Sequence, residues 1–399
     1  MRGLFWLSGA LLVYAQLGYG ALLAILAAVR RRGGRSTTCA PEGRGGPSAV
    51  AANAARHHGG PSTPARDLPT VSLIIAAHDE ATVIAAKVRD ARALDYPAGR
   101  LEVVVCSDGS ADATVAAARA AGADRVLDLE RGGKVRAQDA GVDAARGTLL
   151  AFSDANARWA PGALRALAGA FADPAVGYAC GQVTFVGDGG TNQEGLYWRY
   201  EMALRALESG LASVTAGNGA IYAVRRAAYL RVDPVMGHDL SFPFNLVKRG
   251  WRCVYVPDAH ATEKMVPSLE GEFARKRRMM SHAWPIVLRG GLLDPRGYPP
   301  LYAVMVASHR VLRYAGPFLH LALLLASTVL SARRPGPWRW ALGVQAALLA
   351  AAAAGGRLRR RPALVARYYV LTVASIGAGL WDHLRHGTPA GWEPPEGTR

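Results

Sequence analysis

The chain of 399 residues contains no charged side chain between residues 3 and 29, and this limits the architectures open to it. An uncharged apolar stretch of this length can cross a hydrocarbon core of about 30 Å as a single helix. A cleaved signal peptide is the alternative, but its apolar region is usually shorter, and here the run meets four arginines between positions 30 and 35. We therefore expect residues 1–30 to form an N-terminal transmembrane anchor.

These arginines also predict the orientation of the chain. They follow the first span and only Arg2 precedes it, so the positive-inside rule places the following residues in the cytoplasm. The net charge of +17 is explained by arginines that flank apolar spans and meet anionic headgroups. The sequence shows no zinc-finger spacing, RNA-binding signature or basic heptad helix, so we expect membrane lipids as partners and no nucleic acid.

Apolar segments return near the C-terminus, at residues 316–331, 340–354 and 363–381. The first two are short for membrane spans and the third has a better length. The preceding segment, residues 301–315, carries His309, Arg310 and Arg313 on an apolar background, and we expect it to lie along the membrane interface. The number of C-terminal spans and the side of the C-terminus stay open.

The composition divides the rest of the chain. Residues 31–68 are rich in Gly, Ser, Pro, Ala and Arg, which is typical of a flexible linker. The predicted division is an N-terminal anchor (1–30), the linker (31–68), a cytoplasmic domain (69–290), interfacial and transmembrane helices (291–385) and a polar C-terminal tail (386–399).

The cytoplasmic domain begins with apolar strands that alternate with amphipathic helices. The predicted strands are VSLIIAAH, LEVVVCSD, RVLDL and TLLAFSDA, and the predicted helices are ATVIAAKVRDARAL, ADATVAAARAAG and KVRAQDAGVDAAR. Continuous apolar strands separated by helices indicate an α/β, doubly wound, mostly parallel sheet covered on both faces. In such a sheet, ligands bind at the carboxyl ends of the strands.

Acidic side chains follow three of these strands. Asp79 and Glu80 follow the first, Asp108 the second and Asp154 the fourth. One such acid can be a helix cap, and Asp108 does precede a helix, but three on one edge indicate a shared site. Asp154 and Asn156 place two oxygen ligands two residues apart, where they can hold a divalent cation that takes its other ligands from water and phosphate.

Six motifs occur in order across residues 70–330. They are SLIIAAHDEATVI, VVVCSDGSADAT, GGKVRAQDAG, LAFSDANARWAPGAL, YWRYEMALRALESGLASVTAGNGAIYAVRR and GHDLSFPFNLVKRGWRCVYVPDAHATEK. Together they resemble the membrane-bound glycosyltransferase family 2, in the branch that also contains hyaluronan, cellulose and chitin synthases. The terminal WEPPEGTR is also similar to tails in this group. The motifs are specific to the family and not to one sugar.

The resemblance implies a GT-A catalytic domain at residues 69–290 that uses a nucleotide-sugar donor, commonly of uridine. Nucleotide contacts are implied for Ala76, Glu80, Asp108, Gly109 and Lys134. It further implies Mg²⁺ or Mn²⁺ at Asp154 and Asn156, and a catalytic base at Asp239. The positions implied to border the sugar and the acceptor are Gly217, Asn218, Gly219, His238, Arg275 and Arg278.

An inverting transfer explains why such a site needs a second acidic group. The acceptor hydroxyl attacks the anomeric carbon from the face opposite the nucleotide, so a carboxylate must take its proton. The metal stabilises the departing diphosphate. Asp239 also opens a helix-like run whose Pro243 fits the first turn, so a helix-terminal role is the alternative, and the resemblance favours the base.

Three departures from the family pattern bear on function. His238 stands where an acid usually precedes the base, to fill space or to tune proton affinity, and Asn156 replaces the second acid of the metal motif. In the segment RKRRM, Arg278 matches the family arginine, but Arg275 and Met279 replace a glutamine and a tryptophan. Methionine does not replace tryptophan as a flat surface for a sugar ring, so single addition is favoured over polymer synthesis.

The sequence thus predicts an inverting glycosyltransferase that is multi-pass in the cell membrane and has a cytoplasmic catalytic domain. We expect a UDP-sugar donor and a lipid-linked or envelope-glycan acceptor. A processive polysaccharide synthase stays open as an alternative, as does a degenerate GT-A fold that acts as a nucleotide-sugar sensor or scaffold. A dehydrogenase-like domain is disfavoured because no glycine fingerprint follows the first strand.

Overall fold

The computed structural model describes residues 1–33, 68–186, 193–264, 269–358 and 360–391. Most of the predicted linker and the tail motif WEPPEGTR lie outside these residues. The strands are β1 (Val71–Ala77), β2 (Leu101–Asp108), β3 (Arg125–Leu129), β4 (Leu149–Asp154), β5 (Arg158–Trp159), β6 (Val176–Val186), β7 (Tyr222–Arg225) and β8 (Arg252–Lys264). The helices are α1 (Arg2–Val13), α2 (Tyr19–Gly33), α3 (Ile84–Arg92), α4 (Thr114–Ala120), α5 (Lys134–Ala144), α6 (Ala163–Ala170), α7 (Gln193–Leu211), α8 (His238–Lys248), α9 (Leu269–Leu288), α10 (Pro300–Met305), α11 (Leu312–Arg333), α12 (Pro337–Leu358) and α13 (Arg361–His386).

The described strands form one sheet in the order β3-β2-β1-β4-β7-β6-β8-β5. The pairs β1–β2, β1–β4 and β2–β3 are parallel, as the alternation of strands and helices predicts. β7 runs antiparallel to both β4 and β6, and β5 runs antiparallel to β8. β6 and β8 pair in parallel, so the second half of the sheet is mixed.

The core lies on both faces of this sheet. Successive side chains of a strand point to opposite faces, so Ile74 packs in one apolar cluster while Leu73 and Ile75 pack in the other. All seven residues of β1 are buried, which explains why its residues are apolar on both faces apart from Ser72, whose hydroxyl donates to Glu102. The carboxyl ends of β1, β2 and β4 are thereby fixed side by side.

Three helices in the described part of the chain are long and apolar enough to cross a membrane: Arg2–Arg32, Pro300–Arg333 and Arg361–His386. The apolar run at 340–354 lies in α12, which is not among them. The predicted interfacial segment does not end before a span, because a π-helical stretch, Val306–Val311, joins α10 and α11 into one continuous helix. Its polar residues His309 and Arg310 are buried inside the protein instead of facing headgroups.

The apolar helices pack directly on the domain that contains the sheet. Arg30 at the end of α2 donates to the carbonyl oxygens of Gly210 and Leu211 at the end of α7. Trp284 of α9 donates from Nε1 to the carbonyl oxygen of Ile376 in α13 at 2.9 Å. Helices α7 and α9 thus connect the sheet to the apolar helices.

Candidate active site

A cavity of about 510 Å³ lies at the carboxyl ends of β1 and β4 and extends to α7, α9 and α11. Its walls include most of the residues that the sequence analysis selected: Ala76, Glu80, Lys134, Asp154, Asn156, Gly217, Asn218, Gly219, His238, Asp239, Arg275 and Arg278. Asp108 and Gly109 do not line it. The structure therefore brings the predicted metal, base and acceptor positions and three of the five predicted nucleotide positions into one cavity.

The donor side of the cavity is built from neighbouring strand ends. Parallel pairing of β1 with β4 sets Ala76 opposite Asp154. Lys134, the first residue of α5, forms an ion pair with the Asp154 carboxylate. Burial opposes the charge on Lys134, but the Asp154 carboxylate outweighs this effect and raises the pKa of the lysine. A fixed ammonium group therefore lies beside the predicted metal ligand.

Asp108 acts one step behind the cavity wall. Its carboxylate accepts the backbone N–H of Gly132 at 2.6 Å and that of Gly133 at 3.0 Å. Gly133 has a φ of 99°, which a residue with a side chain rarely adopts. Asp108 thus holds the turn that starts α5 and places Lys134. It makes no capping bond to α4, whose N-cap residue is Ala113.

A buried lysine, which the sequence analysis did not select, supports the metal motif. Lys87 of α3 donates from Nζ to Ser153 Oγ and to the carbonyl oxygen of Ala157, both at 2.6 Å. These two residues flank Asp154 and Asn156. Burial lowers the pKa of Lys87 to about 7. A single lysine on the apolar side of a predicted helix was the available sequence signal.

Glu263 is a second residue that the sequence analysis left unassigned, although it lies in the motif ending HATEK. Antiparallel pairing of β5 with β8 sets Arg158 opposite Thr262, so Glu263 comes next to the Asp154–Asn156 turn. Glu263 lines the cavity. Burial and the nearby Asp154 carboxylate raise its pKa to about 7.

These side chains fit a divalent cation that is shared with a phosphate ligand. Asp154 and Glu263 offer carboxylates and Asn156 an amide oxygen, which are the hard oxygen ligands that Mg²⁺ and Mn²⁺ prefer. No group of three His, Cys, Asp or Glu side chains in the described residues could hold a metal by itself. A cation here would therefore draw its remaining ligands from water and a diphosphate.

Asp239 lies in the first turn of α8, directly after His238. Pro243 has no N–H to donate to the carbonyl oxygen of Asp239 four residues earlier. That oxygen instead accepts the N–H of Gly217 at 2.6 Å. Burial raises the pKa of the Asp239 carboxyl group, and Lys134 opposes this effect only in part. The carboxylate is thus held as a stronger base than an exposed aspartate.

His238 packs within an aromatic group below the base. Its Nδ1 lies 2.8 Å from Tyr222 Oη, and its ring stacks on Phe242 with centroids 4.1 Å apart. Burial and the charge on Lys134 lower the pKa of His238 to about 3, so the imidazole is neutral near pH 7. This placement favours the interpretation that His238 fills space.

The segment RKRRM divides between two faces of α9. Arg275 and Arg278 line the cavity, and Arg275 binds Glu272 through two bonds of 2.7 Å. Lys276 and Arg277 point to α13, where Lys276 donates to Tyr368 Oη at 2.6 Å. Only part of this basic segment therefore faces the cavity.

Gly217 is tightly confined, and this leads to a testable prediction. A Cβ at Gly217 would lie 1.8 Å from Oη of the fully buried Tyr178, whereas a Cβ at Gly219 has 3.9 Å to its nearest neighbour. We expect Gly217→Ala to destabilise the fold by about 1–3 kcal/mol and to displace Asp239. Gly219→Ala is the matched control and should unfold near the wild-type temperature. Thermal unfolding of both variants in detergent tests this, and equal unfolding temperatures would contradict it.

Part of the chain is similar to known glycosyltransferases. Residues 72–232 match glycosyl transferase family 2. The N-acetylglucosaminyltransferases of Rhizobium sp. (strain N33) and Rhizobium meliloti (strain 1021) are 29% and 30% identical to the chain over 231 and 217 residues. The alignments cover 52% and 49% of this chain and 51% of each relative, so the chain spans about half the length of these curated relatives.

A solved structure shares the overall fold. The mannosyltransferase PcManGT from Pyrobaculum calidifontis, in complex with GDP-Man and Mn²⁺, superposes with a TM-score of 0.65 at 21% identity. The match covers 96% of this chain and 99% of that chain. The mixed sheet with its covering helices is a GT-A fold, as the sequence predicts.

Proposed function

We propose that this chain, which carries a family 2 glycosyltransferase domain at residues 72–232, transfers a sugar from a nucleotide-sugar donor to a lipid-linked or glycan acceptor at a membrane. The observation that carries the proposal is one cavity that holds the Lys134–Asp154 pair on one side and Asp239 on another. The first group suits a diphosphate, and the second suits a hydroxyl that loses a proton.

The donor is held at the strand ends. Glu80 contributes to the nucleotide pocket, while Lys134 binds diphosphate oxygens once its ion pair with Asp154 opens. Asp108 and Gly109 act from behind by shaping the loops around this pocket. A bound Mg²⁺ or Mn²⁺, held by Asp154, Asn156 and Glu263, would stabilise negative charge on the departing diphosphate. The Mn²⁺ in the PcManGT complex supports this assignment.

Asp239 performs the proton transfer in this proposal. The acceptor oxygen forms a bond to the anomeric carbon while the bond from that carbon to the nucleotide diphosphate breaks, and the hydroxyl proton passes to the Asp239 carboxylate. The electron pair of the broken bond leaves with the diphosphate, and the configuration at the anomeric carbon is inverted. Burial supports this role because it raises the pKa of Asp239 towards that of the acceptor hydroxyl, which makes the carboxylate a stronger base.

Further features bear on which sugar the protein transfers and on whether it adds one sugar or many to an acceptor. We propose N-acetylglucosamine on a UDP carrier as the first donor to test, because the rhizobial relatives are N-acetylglucosaminyltransferases, and GDP-mannose as the second. Met279 at the cavity wall offers no flat ring for a growing glycan, which supports single addition over processive synthesis.

The membrane arrangement is also proposed. The three apolar helices support a multi-pass protein, and the arginines at positions 30–32 support a cytoplasmic catalytic domain. In this arrangement the cavity meets the cytoplasmic headgroup region, because α7, α9 and α11 form its walls.

Nucleotide release from a donor panel tests the function. Membranes that contain the full chain are supplied with UDP-N-acetylglucosamine, UDP-glucose, GDP-mannose or a dTDP-sugar, with Mg²⁺, Mn²⁺ or a chelator. We expect release from one donor, its dependence on a divalent cation and its loss in chelator. Nucleotide binding without nucleotide release from any donor would contradict the proposed enzymatic function and favour a nucleotide-sugar sensor or scaffold.

A further inference from the structure

A buried group of charged side chains borders the acceptor side of the cavity. Arg205 comes from α7, and Arg310 and Arg313 come from the helix Pro300–Arg333; all three line the cavity. We call these three residues the arginine cluster. Two carboxylates of α7, Glu201 and Glu208, are packed among them, and both are more than nine-tenths buried.

Both carboxylates already have partners. Glu201 forms an ion pair with Arg313. Glu208 accepts hydrogen bonds from Tyr19 Oη at 2.6 Å and from the N–H of Thr215 at 3.0 Å, and it lies 2.7 Å from His309 Nδ1. Burial opposes ionisation of Glu208, but His309, Arg310 and the hydrogen bond from Tyr19 outweigh it and lower its pKa to about 2. Burial likewise opposes ionisation of Glu201, and Arg313 and His309 hold its pKa well below the usual range. Both acids therefore carry negative charge near pH 7.

The charges of this group do not balance. Three guanidinium groups face two carboxylates, and His309, which lies between the two acids, can only add positive charge. An uncompensated buried charge is unfavourable unless an anion or a hydrogen-bond network satisfies it. The group therefore lacks one negative charge on the side that faces the cavity.

Two of the three arginines have guanidinium N–H groups without a hydrogen-bond partner among the described residues. Arg205 is 6% exposed, yet its Nε has no hydrogen-bond partner in the described part of the chain. Its Nη1 only approaches the sulfur of Met202 at 3.9 Å. Arg310 is equally buried and donates only from Nε, to Thr215 Oγ1 at 2.8 Å, among the described residues. Both guanidinium groups keep donors for a further ligand.

This position is adjacent to the reaction centre. Arg205 Nη2 donates to the carbonyl oxygen of Gly217 at 3.0 Å, and the N–H of Gly217 donates to the carbonyl oxygen of Asp239. Arg310 lies in the π-helical stretch Val306–Val311, which interrupts an otherwise regular apolar helix. Charged residues and π-helical bulges in spanning helices commonly mark functional sites because both are unfavourable elsewhere.

We propose that Arg205 and Arg310 form a binding subsite for an oxyanion of the phosphate class that the acceptor substrate carries. This rests on the proposed function, and it names the class of acceptor. Guanidinium groups suit phosphate because they donate paired, charge-assisted hydrogen bonds. A neutral glycan would leave the excess charge in place. The phosphate belongs either to a membrane lipid carrier or to a soluble sugar phosphate.

Binding to the full chain in detergent micelles tests the subsite. Farnesyl phosphate, farnesol and glucose 1-phosphate serve as probes, and tryptophan fluorescence reports their binding. We expect wild-type protein to bind farnesyl phosphate at least tenfold more tightly than farnesol, and Arg205→Gln or Arg310→Gln to remove most of this preference. Arg252→Gln is the control, because Arg252 pairs with the surface residue Asp173 away from the cavity.

The outcomes separate the two proposals. Equal binding of farnesol and farnesyl phosphate by wild-type protein, with no binding of glucose 1-phosphate, would overturn the oxyanion subsite, and this result needs no variant to fold. Binding of glucose 1-phosphate that the arginine variants lose would support the subsite and assign the phosphate to a soluble acceptor. UDP and GDP titrations with Mn²⁺ on the same samples report the donor site, so their failure would count against the proposed function alone.

Discussion

Replacing Asp239 with asparagine is expected to lower the rate of sugar transfer by about a thousandfold while nucleotide binding stays near the wild-type value. Asparagine has a similar shape but cannot take the hydroxyl proton, and a general base typically contributes 10²–10⁴-fold. Initial rates of nucleotide release, with nucleotide affinity from calorimetry, measure the two effects. Asp128→Asn, an exposed change on β3, is the control and should keep full activity.

The pH profile provides a second measurement on the same residue. Because burial raises the pKa of Asp239, the carboxylate gains its proton at a higher pH than an exposed aspartate does. The transfer rate should therefore fall as the pH drops through this raised pKa, and the acidic limb should lie above the usual range near 4. Asp239→Asn should lose that limb. Full activity of Asp239→Asn would exclude the base role.

Replacing Asp154 with asparagine should lower the transfer rate by about 10²-fold and weaken metal-dependent nucleotide binding by at least tenfold. The change removes a carboxylate from the proposed metal site and leaves the half-buried Lys134 without its ion-pair partner. Calorimetric titration of UDP or GDP with Mn²⁺ and with chelator measures the loss. Asp143→Asn, which breaks only an exposed ion pair with Arg231, is the control.

Glu263→Gln tests whether the metal site contains a second carboxylate. If Glu263 is a ligand, its replacement should weaken Mn²⁺ binding by about tenfold, with a smaller change in metal-free nucleotide affinity. An unchanged Mn²⁺ affinity would leave Asp154 as the protein carboxylate at the site and would restrict Glu263 to an electrostatic role.

Asp154 and Glu263 differ in whether the sequence alone could indicate their place in the site. Asp154 follows a continuous apolar strand, so its position at the sheet edge is a consequence of chain geometry. Glu263 lies at the end of a strand that alternates between buried and exposed residues and pairs with both β6 and β5. Its approach to Asp154 depends on the register of β5 and β8, two strands that are about 100 residues apart in the chain.

The polar residues of the helix Pro300–Arg333 show the same limit of prediction from sequence. The apolar composition of residues 316–331 predicted membrane association, whereas His309, Arg310 and Arg313 in residues 301–315 indicated a segment along the membrane interface. In the fold, these residues turn towards acids of α7, which precede them by about 100 residues. Hydropathy records the polarity of a side chain and not the partner that satisfies it, so the buried cluster could not be predicted.

Local chemistry alone determined much of this protein. Continuous apolar stretches defined the strands, and the spacing of apolar residues and the composition defined the helices and the apolar segments. Acids at the strand ends indicated the donor site. These properties depend on neighbours within a few residues. The tertiary structure decided the antiparallel placement of β7, the packing of His238 on Phe242 and the hydrogen bonds from Gly132 and Gly133 to Asp108. It also decided the contact of Lys87 with Ser153 and the entry of Glu263 and Arg205 into the cavity. Each of these depends on contacts between distant segments, whose geometry is set only when the whole core packs.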